Sequence, residues 1–263
     1  CELEGKLTLR NLYSGGLVGY MESGRIANCE VKGVVENPIQ GIYWNGEMNA
    51  AVTGGFVGHA LGGAVIEDCV LSGDLSTMGR YAGGIVAHLE ESTVRRCRVT
   101  NTAEISNVSH YCGGVASIML GNAALISDCR FEGRVNSSYP YHGGIVGSIT
   151  AGKVYNCIAT STSVVAGTEG NAGGIAGQIQ TTSVADIALI DNCSSYGHVE
   201  DAFNVGGIVG YVAHKANGAY AGVTNCAAIG NVLISKGAYN DKYNLVGGVV
   251  GWITKNYGTS VVA

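Results

Sequence analysis

The sequence predicts an all-β fold: a parallel β-solenoid (β-helix) of about eight coils, with ~30 residues per coil. Three observations predict it. A glycine pair followed by a bulky apolar residue recurs eight times, starting at Gly15, Gly54, Gly83, Gly113, Gly143, Gly173, Gly206 and Gly247. The intervals are 39, 29, 30, 30, 30, 33 and 41 residues, so one unit has been copied rather than eight motifs scattered. A cysteine follows most pairs at a similar distance, and no helical period persists for a dozen residues.

The glycine pair comes first in each unit. It is expected to form a corner between flat faces, where positive φ is needed and a Cβ would be penalised. A phosphate-cradling role would require GxGxxG or GxxxxGK[ST] leading into a helix, and neither pattern occurs.

Short strands follow the corner. In residues 143–172 the expected strands are Ile145–Ile149, Lys153–Ile158 and Ser163–Ala166. Behind each pair the third slot is bulky (Phe56, Ile85, Ile145), the fifth small (Gly58, Ala87, Gly147) and the seventh mostly apolar (Leu89, Met119, Ile149). A period of two assigns these three slots to the core face. The sixth slot varies (Tyr20, His59, His88, Ile118, Ser148, Gln178, Tyr211, Trp252) and is assigned to solvent.

The cysteines close each unit. Cys29, Cys69, Cys97, Cys129, Cys157, Cys193 and Cys226 each follow an aliphatic residue and two mostly polar ones, usually with a glycine four residues later. Cys1, followed by Gly5, fits the same phase. Stacking then places eight cysteines in one interior file about 4.8 Å apart. Buried reduced thiols suit such a file better than disulfides, which need paired side chains turned toward each other. Metal binding is disfavoured because no CxxC occurs. Cys112 lies off the file and is the thiol expected at the surface.

Both ends read as cut inside a unit, so residues 1–263 are expected to form one continuous repeat array taken from a longer protein. A lipoprotein would also mature to an N-terminal cysteine, but the phase of Cys1 favours an excised segment. Its partners would include flanking repeats of the same chain.

Composition narrows the role. A net charge of −5 gives no basic stripe for nucleic acid, and the apolar runs are too short to insert this segment in a membrane. Charged residues make up only 13%, so Ser, Thr, Asn, Tyr and Gly must cover the outside.

Candidate chemistry is sparse. Asp68, Asp128 and Asp191 sit beside the cysteines, where Asn28, Asn156, Asn192 and Asn225 also occur. That usage suits turns and inter-coil ladders better than a catalytic carboxylate pair. Glu90 and Glu91 read as a solvated pair at a turn. His59 and His88 share a slot in adjacent coils and are expected to be exposed, with rings roughly 5 Å apart and no third metal ligand. GxSxG is absent. No catalytic residue, cofactor or metal is expected.

Aromatics offer more. Tyr81, Tyr111 and Tyr141 precede successive glycine pairs by two residues, a slot begun by Tyr13 and continued by Asn171 and Asn204. They predict a stacked ladder, either purely structural or a platform for sugars or a protein. Two long returns could also carry contacts, one with Tyr43 and Trp44, the other with Tyr239 to Tyr243.

The core GG-[LIVF]-V-G, as in Gly16-Leu17-Val18-Gly19, Gly55-Phe56-Val57-Gly58 and Gly144-Ile145-Val146-Gly147, resembles the GLUG-repeat family. Ala87 and Ser117 depart from it in the third and fourth copies. These modules occur in large bacterial surface proteins, including adhesin-like proteins and non-catalytic regions of IgA-cleaving metallopeptidases. The resemblance implies an extracellular, surface or secreted repeat region with no catalytic residues to transfer. The metallopeptidase HExxH is absent.

The expected function is therefore a non-enzymatic structural and adhesive stalk, roughly 40 Å long over eight coils, displaying loops to a host or neighbouring-cell glycan or protein. The alternatives are a carbohydrate-binding solenoid using the tyrosine ladder and, behind it, a β-helix carbohydrate-active enzyme. Abundant cysteine sits awkwardly with an oxidising exterior unless the thiols are buried or the source is anaerobic.

Overall fold

The computed structural model describes residues 1–44, 47–107, 110–138, 140–201, 203–234, 245–254 and 258–263; the side chains of 41–49 lie outside that description. Among the described residues there is no helix. The described residues wind into five parallel sheets of eight strands each, with one added two-stranded hairpin.

One coil shows the plan. Arg130–Phe131, Arg134–Ser137, Tyr141–Gly143, Val146–Ile149 and Gly152–Tyr155 give one strand each to sheets 1 to 5. Each strand pairs with its equivalents in the coils on either side: Val135 stands between Ile105 and Val165, and Val154 between Ile126 and Ile190. Counted from sheet 1 to sheet 5, the described residues make eight such coils. The interior is a column of fully buried apolar side chains, including Phe56, Leu71, Leu75, Ile105, Phe131 and Ile145. Each contributes about 1.5–3 kcal/mol by leaving water.

Five short strands per coil replace the three expected. The span 153–158 is cut in two because Asn156 takes a left-handed conformation at φ 52°. Every residue before a file cysteine does the same: Asn28, Asp68, Arg96, Asp128, Asn156, Asn192 and Asn225 all lie at φ 51–55°. Asn and Asp tolerate this region because their short polar side chains bond locally. Here they bond between coils, Asn156 Nδ2 donating to Asp128 Oδ1 at 2.6 Å and Asn192 Nδ2 to Asn156 Oδ1 at 3.2 Å.

The paired glycines have a different role from the one expected. None lies in the left-handed region. They are needed because backbone approaches backbone. A Cβ on Gly54 would fall 1.9 Å from the Val57 carbonyl oxygen, and one on Gly55 2.0 Å from the Gly84 oxygen of the next coil. The small fifth slot follows the same logic, since a Cβ on Gly58 would stand 2.7 Å from the Ser14 amide nitrogen.

The cysteines from Cys1 to Cys226 follow one another through the coils. Arg98 N–H donates to the Cys69 carbonyl, Arg130 N–H to that of Cys97 and Ile158 N–H to that of Cys129, at 2.9–3.0 Å. No cysteine is disulfide-bonded. The thiols also donate to carbonyls two residues back, as from Cys129 to Ser127 at 3.2 Å. Cys29, Cys69, Cys97, Cys129, Cys157 and Cys193 are buried, whereas Cys226 is half-buried and Cys1 exposed because they sit in the end coils. Burial pushes the Cys129 and Cys157 thiols well up. Cys193 is pulled down by hydrogen bonds from Cys157 and Cys226.

Cys112, expected at the surface, is fully buried. It is the middle residue of a sheet-3 strand, and that position points inward. Burial pushes its thiol up as well.

The inner corner between sheets 2 and 3 is polar, which the sequence did not suggest. Asn37, Thr77, Asn107, Ser137 and Gly167 stack in register at the ends of sheet-2 strands. Facing them are Ser14, Thr53, Ala82, Cys112 and His142. The fully buried Asn37 donates through Nδ2 to Asn11 O, Ser14 Oγ and Thr53 Oγ1 at 3.1, 3.2 and 3.1 Å. Farther along, His142 Nε2 lies 2.9 Å from Asp201 Oδ2, both side chains fully buried. Asp201 Oδ1 accepts the Gly170 N–H at 2.8 Å. Burying polar groups costs free energy unless they are hydrogen-bonded, and the His142–Asp201 contact, though short, is not aligned as a hydrogen bond.

Candidate functional site

Tyr81, Tyr111 and Tyr141 each open a sheet-3 strand, and parallel register sets them directly over one another. Their rings stack with centroids 5.1 Å apart at both steps and interplanar angles of 6° and 23°. Each ring therefore covers a face of its neighbour, leaving edges and hydroxyls to meet solvent. Burial pushes the Tyr81 and Tyr141 hydroxyls up. Arg80 lays its guanidinium 5.8 Å from the Tyr81 centroid and 5.7 Å from that of Tyr111.

Val52 occupies the ladder slot in the second coil, so Tyr13 does not reach Tyr81 and packs instead on Tyr20 and His59 at 5.4 and 5.6 Å. At the other end Asn171 accepts a hydrogen bond from Asn204 Nδ2.

The sixth slot, assigned to solvent, is exposed at Tyr20 and half-buried at His88, Ile118, Tyr211 and Trp252, but buried at His59, Ser148 and Gln178. Ser148 and Gln178 are buried and hydrogen-bonded to each other at 2.9 Å. His59 is 9% exposed, and His88 is tucked edge-on against Tyr81 at 4.3 Å. The sheet-3 side chains fold over this column, which alternation within one strand cannot foresee. The two imidazoles are 5.3 Å apart, as their shared slot predicts. Burial pushes His88 down to about 3, so it stays neutral in ordinary buffers. His59 Nε2 meets Glu90 Oε2 at 3.1 Å. Among the described residues no group of three or more His, Cys, Asp or Glu could hold a metal ion.

Beside the ladder lies a shallow groove of about 170 Å³ on sheet 2, lined by Ser76, Met78, Ser106, Asn136 and Ser138 over a floor of Thr77 and Asn107. Ser76, Ser106 and Asn136 form one register column. Each precedes a ladder tyrosine by five residues, so groove and ladder flank the same corner in three consecutive coils. That constant offset was the available sequence signal. It was hidden because Ser and Asn are unremarkable on a polar surface.

Tyr43 and Trp44 belong to a strand, Gly41–Trp44, that pairs antiparallel with Glu47–Ala50. Their side chains lie outside the described residues, as does the whole of 239–243.

The carboxylates are held in ladders. Glu67 is 1% exposed and gripped by Arg25, Arg95 and Arg96, with Arg95 Nε and Arg96 Nη2 at 2.6 and 2.7 Å. Hydrogen bonds from Arg95 and Arg25, with Arg96 adding to them, hold its carboxyl down at about 2. Asp191 accepts from Asn225, Lys153 and Thr224, which hold it below its ordinary value. Groups so fixed in the ionised form are poorly suited to proton donation.

Residues 49–76 match the family profile described as the GLUG motif. That stretch contains the second glycine pair and Cys69. No curated protein matches the chain. Among solved structures it is similar to a Bacteroides ovatus protein described as a candidate immunoglobulin A1 protease. The identity is 18%, over 92% of this chain and 78% of that one, with a TM-score of 0.44.

Proposed function

We propose that the chain is a non-enzymatic rod segment of a surface or secreted protein, which spaces and displays contact elements rather than performing chemistry. The observation that carries this reading is the unbroken register of five sheets through eight coils. Bending such a rod would shear inter-coil hydrogen bonds on several sides at once, so it keeps attached elements at a set distance. The GLUG motif at 49–76 and the arginine-bound Glu67 support the same reading.

Two measurements test it. Small-angle scattering should give a stiff particle extended by roughly 40 Å along the coil axis. An antibody against the chain should label intact cells that make the parent protein. A flexible particle, or labelling only after lysis, would sink the proposal.

A second reading, glycan contact through the tyrosine ladder, is favoured by the polar groove beside it. Because the rings cover one another, a sugar would meet ladder edges and the groove instead of a flat aromatic platform.

A further inference from the structure

We propose that the corner between sheets 2 and 3, in the third to fifth coils, binds a carboxylate-bearing oligosaccharide, with Arg80 contacting the acid group and the Ser76–Ser106–Asn136 column contacting sugar hydroxyls. This rests on the glycan-contact reading above and names its ligand class.

Arg80 is exposed and makes no ion pair among the described residues. Arg25, Arg95, Arg96, Arg98 and Arg130, by contrast, all sit on Glu67, Asp68 or Glu132. Arg10 and Arg134 also lack an ion pair among the described residues, but Arg80 is the arginine laid over aromatic rings. The two tyrosine rings hold the Arg80 guanidinium in place without neutralising it. A planar donor fork preorganised in this way suits a carboxylate.

The groove supplies complementary chemistry. The Ser76 and Ser138 hydroxyls make no hydrogen bond among the described residues, while those of Ser106 and Asn136 are long, at 3.4 and 3.5 Å. These groups recur at the coil repeat, roughly 4.8 Å, which is close to the length of one sugar ring in an extended chain. Met78, 43% exposed at the rim, offers an apolar contact for a ring's C–H face. The Glu104 carboxylate, opposite Arg134 in register, accepts from Asn136 Nδ2 at 3.5 Å, and Asp74 accepts the Glu104 N–H, so negative charge stands at the Asn136 end of the groove, away from Arg80. An acidic sugar would therefore direct its carboxylate to the Arg80 edge.

The test is calorimetric titration of the full chain with tetragalacturonic acid and 3′-sialyllactose. Their neutral counterparts, the methyl-esterified tetramer and lactose, serve as controls, with tetraglutamate alongside. At least one acidic sugar should bind, at least tenfold more tightly than its neutral counterpart. Arg80→Gln should remove that preference while leaving the circular dichroism spectrum and Tm unchanged, and Arg80→Lys should retain part of it. Equal binding of acidic and neutral sugars, no binding of either acid, tetraglutamate binding as tightly as the sugars, or an inert Arg80→Gln would each overturn the proposal. Equal binding of acidic and neutral sugars would overturn this proposal and leave the glycan-contact reading standing, whereas no binding of any of the four sugars would overturn both.

Discussion

Gly167 is bare where a side chain would collide with His142: a Cβ there would stand 2.3 Å from His142 Nε2 and 2.2 Å from Asp201 Oδ2. The imidazole of the fifth coil thereby passes the sixth and meets a carboxylate of the seventh at 2.9 Å, inside the core. Gly167→Ala should force the pair apart, and Asp201→Ala should strand the ring. Removing the partner of a buried polar group costs about 1–3 kcal/mol. Urea unfolding of both variants checks this, and a loss below about 1 kcal/mol in each would show that the contact is not structural.

The paired glycines yield a contrast within one motif. Gly55→Ala places a Cβ against the Gly84 carbonyl, whereas Gly248, in the last coil, has nothing within 4 Å of its Cβ position and no left-handed backbone. Overpacking of this kind costs about 1–3 kcal/mol or more, so the first variant should melt well below wild type and the second close to it. Equal melting temperatures would refute backbone proximity as the reason for the motif.

Acid should weaken the outer arginine cluster within a defined window. The Glu67 carboxyl titrates at about 2 in the fold against an ordinary value of 4.5. A lowered carboxyl contributes stability that is complete above the unfolded value and lost as pH falls through the folded one. The stability difference between wild type and Glu67→Gln should thus be constant above pH 5 and shrink toward pH 2. A difference that does not change with pH would contradict the ionised, arginine-bound state.

Thiol reagents should distinguish the ends from the middle. Cys1 is exposed and Cys226 half-buried, while the other seven cysteines are buried. Ellman's reagent should react with Cys1 rapidly, with Cys226 more slowly, and with the rest only in denaturant. Rapid reaction of Cys112 in the native protein would place that side chain outside the core.

Much of this architecture could be read from the chain because periodicity survives copying. Gly54 and Gly83, or Cys69 and Cys97, mark coil spacing whatever physical role they fill. The roles were harder to read. Positive φ belongs to Asn156 and its equivalents, while Gly54 answers to a carbonyl three residues ahead, a contact that exists only after the corner has formed. The polar inner corner was invisible for a related reason. Thr53, Thr77, His142 and Asp201 resemble surface residues in a linear pattern, and only the closing of five faces turns them inward. His59 and Ser148 were assigned to solvent because alternation describes one strand, whereas their cover comes from a neighbouring sheet. The ladder tyrosines were found because side chain and spacing repeat together. Arg80 was missed because it occurs once.

The hairpin of Gly41–Trp44 and Glu47–Ala50 leaves the helix between Val34–Asn37 and Val52–Gly54, yet both of those strands keep their pairing with the next coil. An excursion at a bend is therefore insulated from the windings around it. Such a scaffold can accept grafted or lost loops one bend at a time, so lineages carrying it could diversify what they touch without renegotiating how they fold.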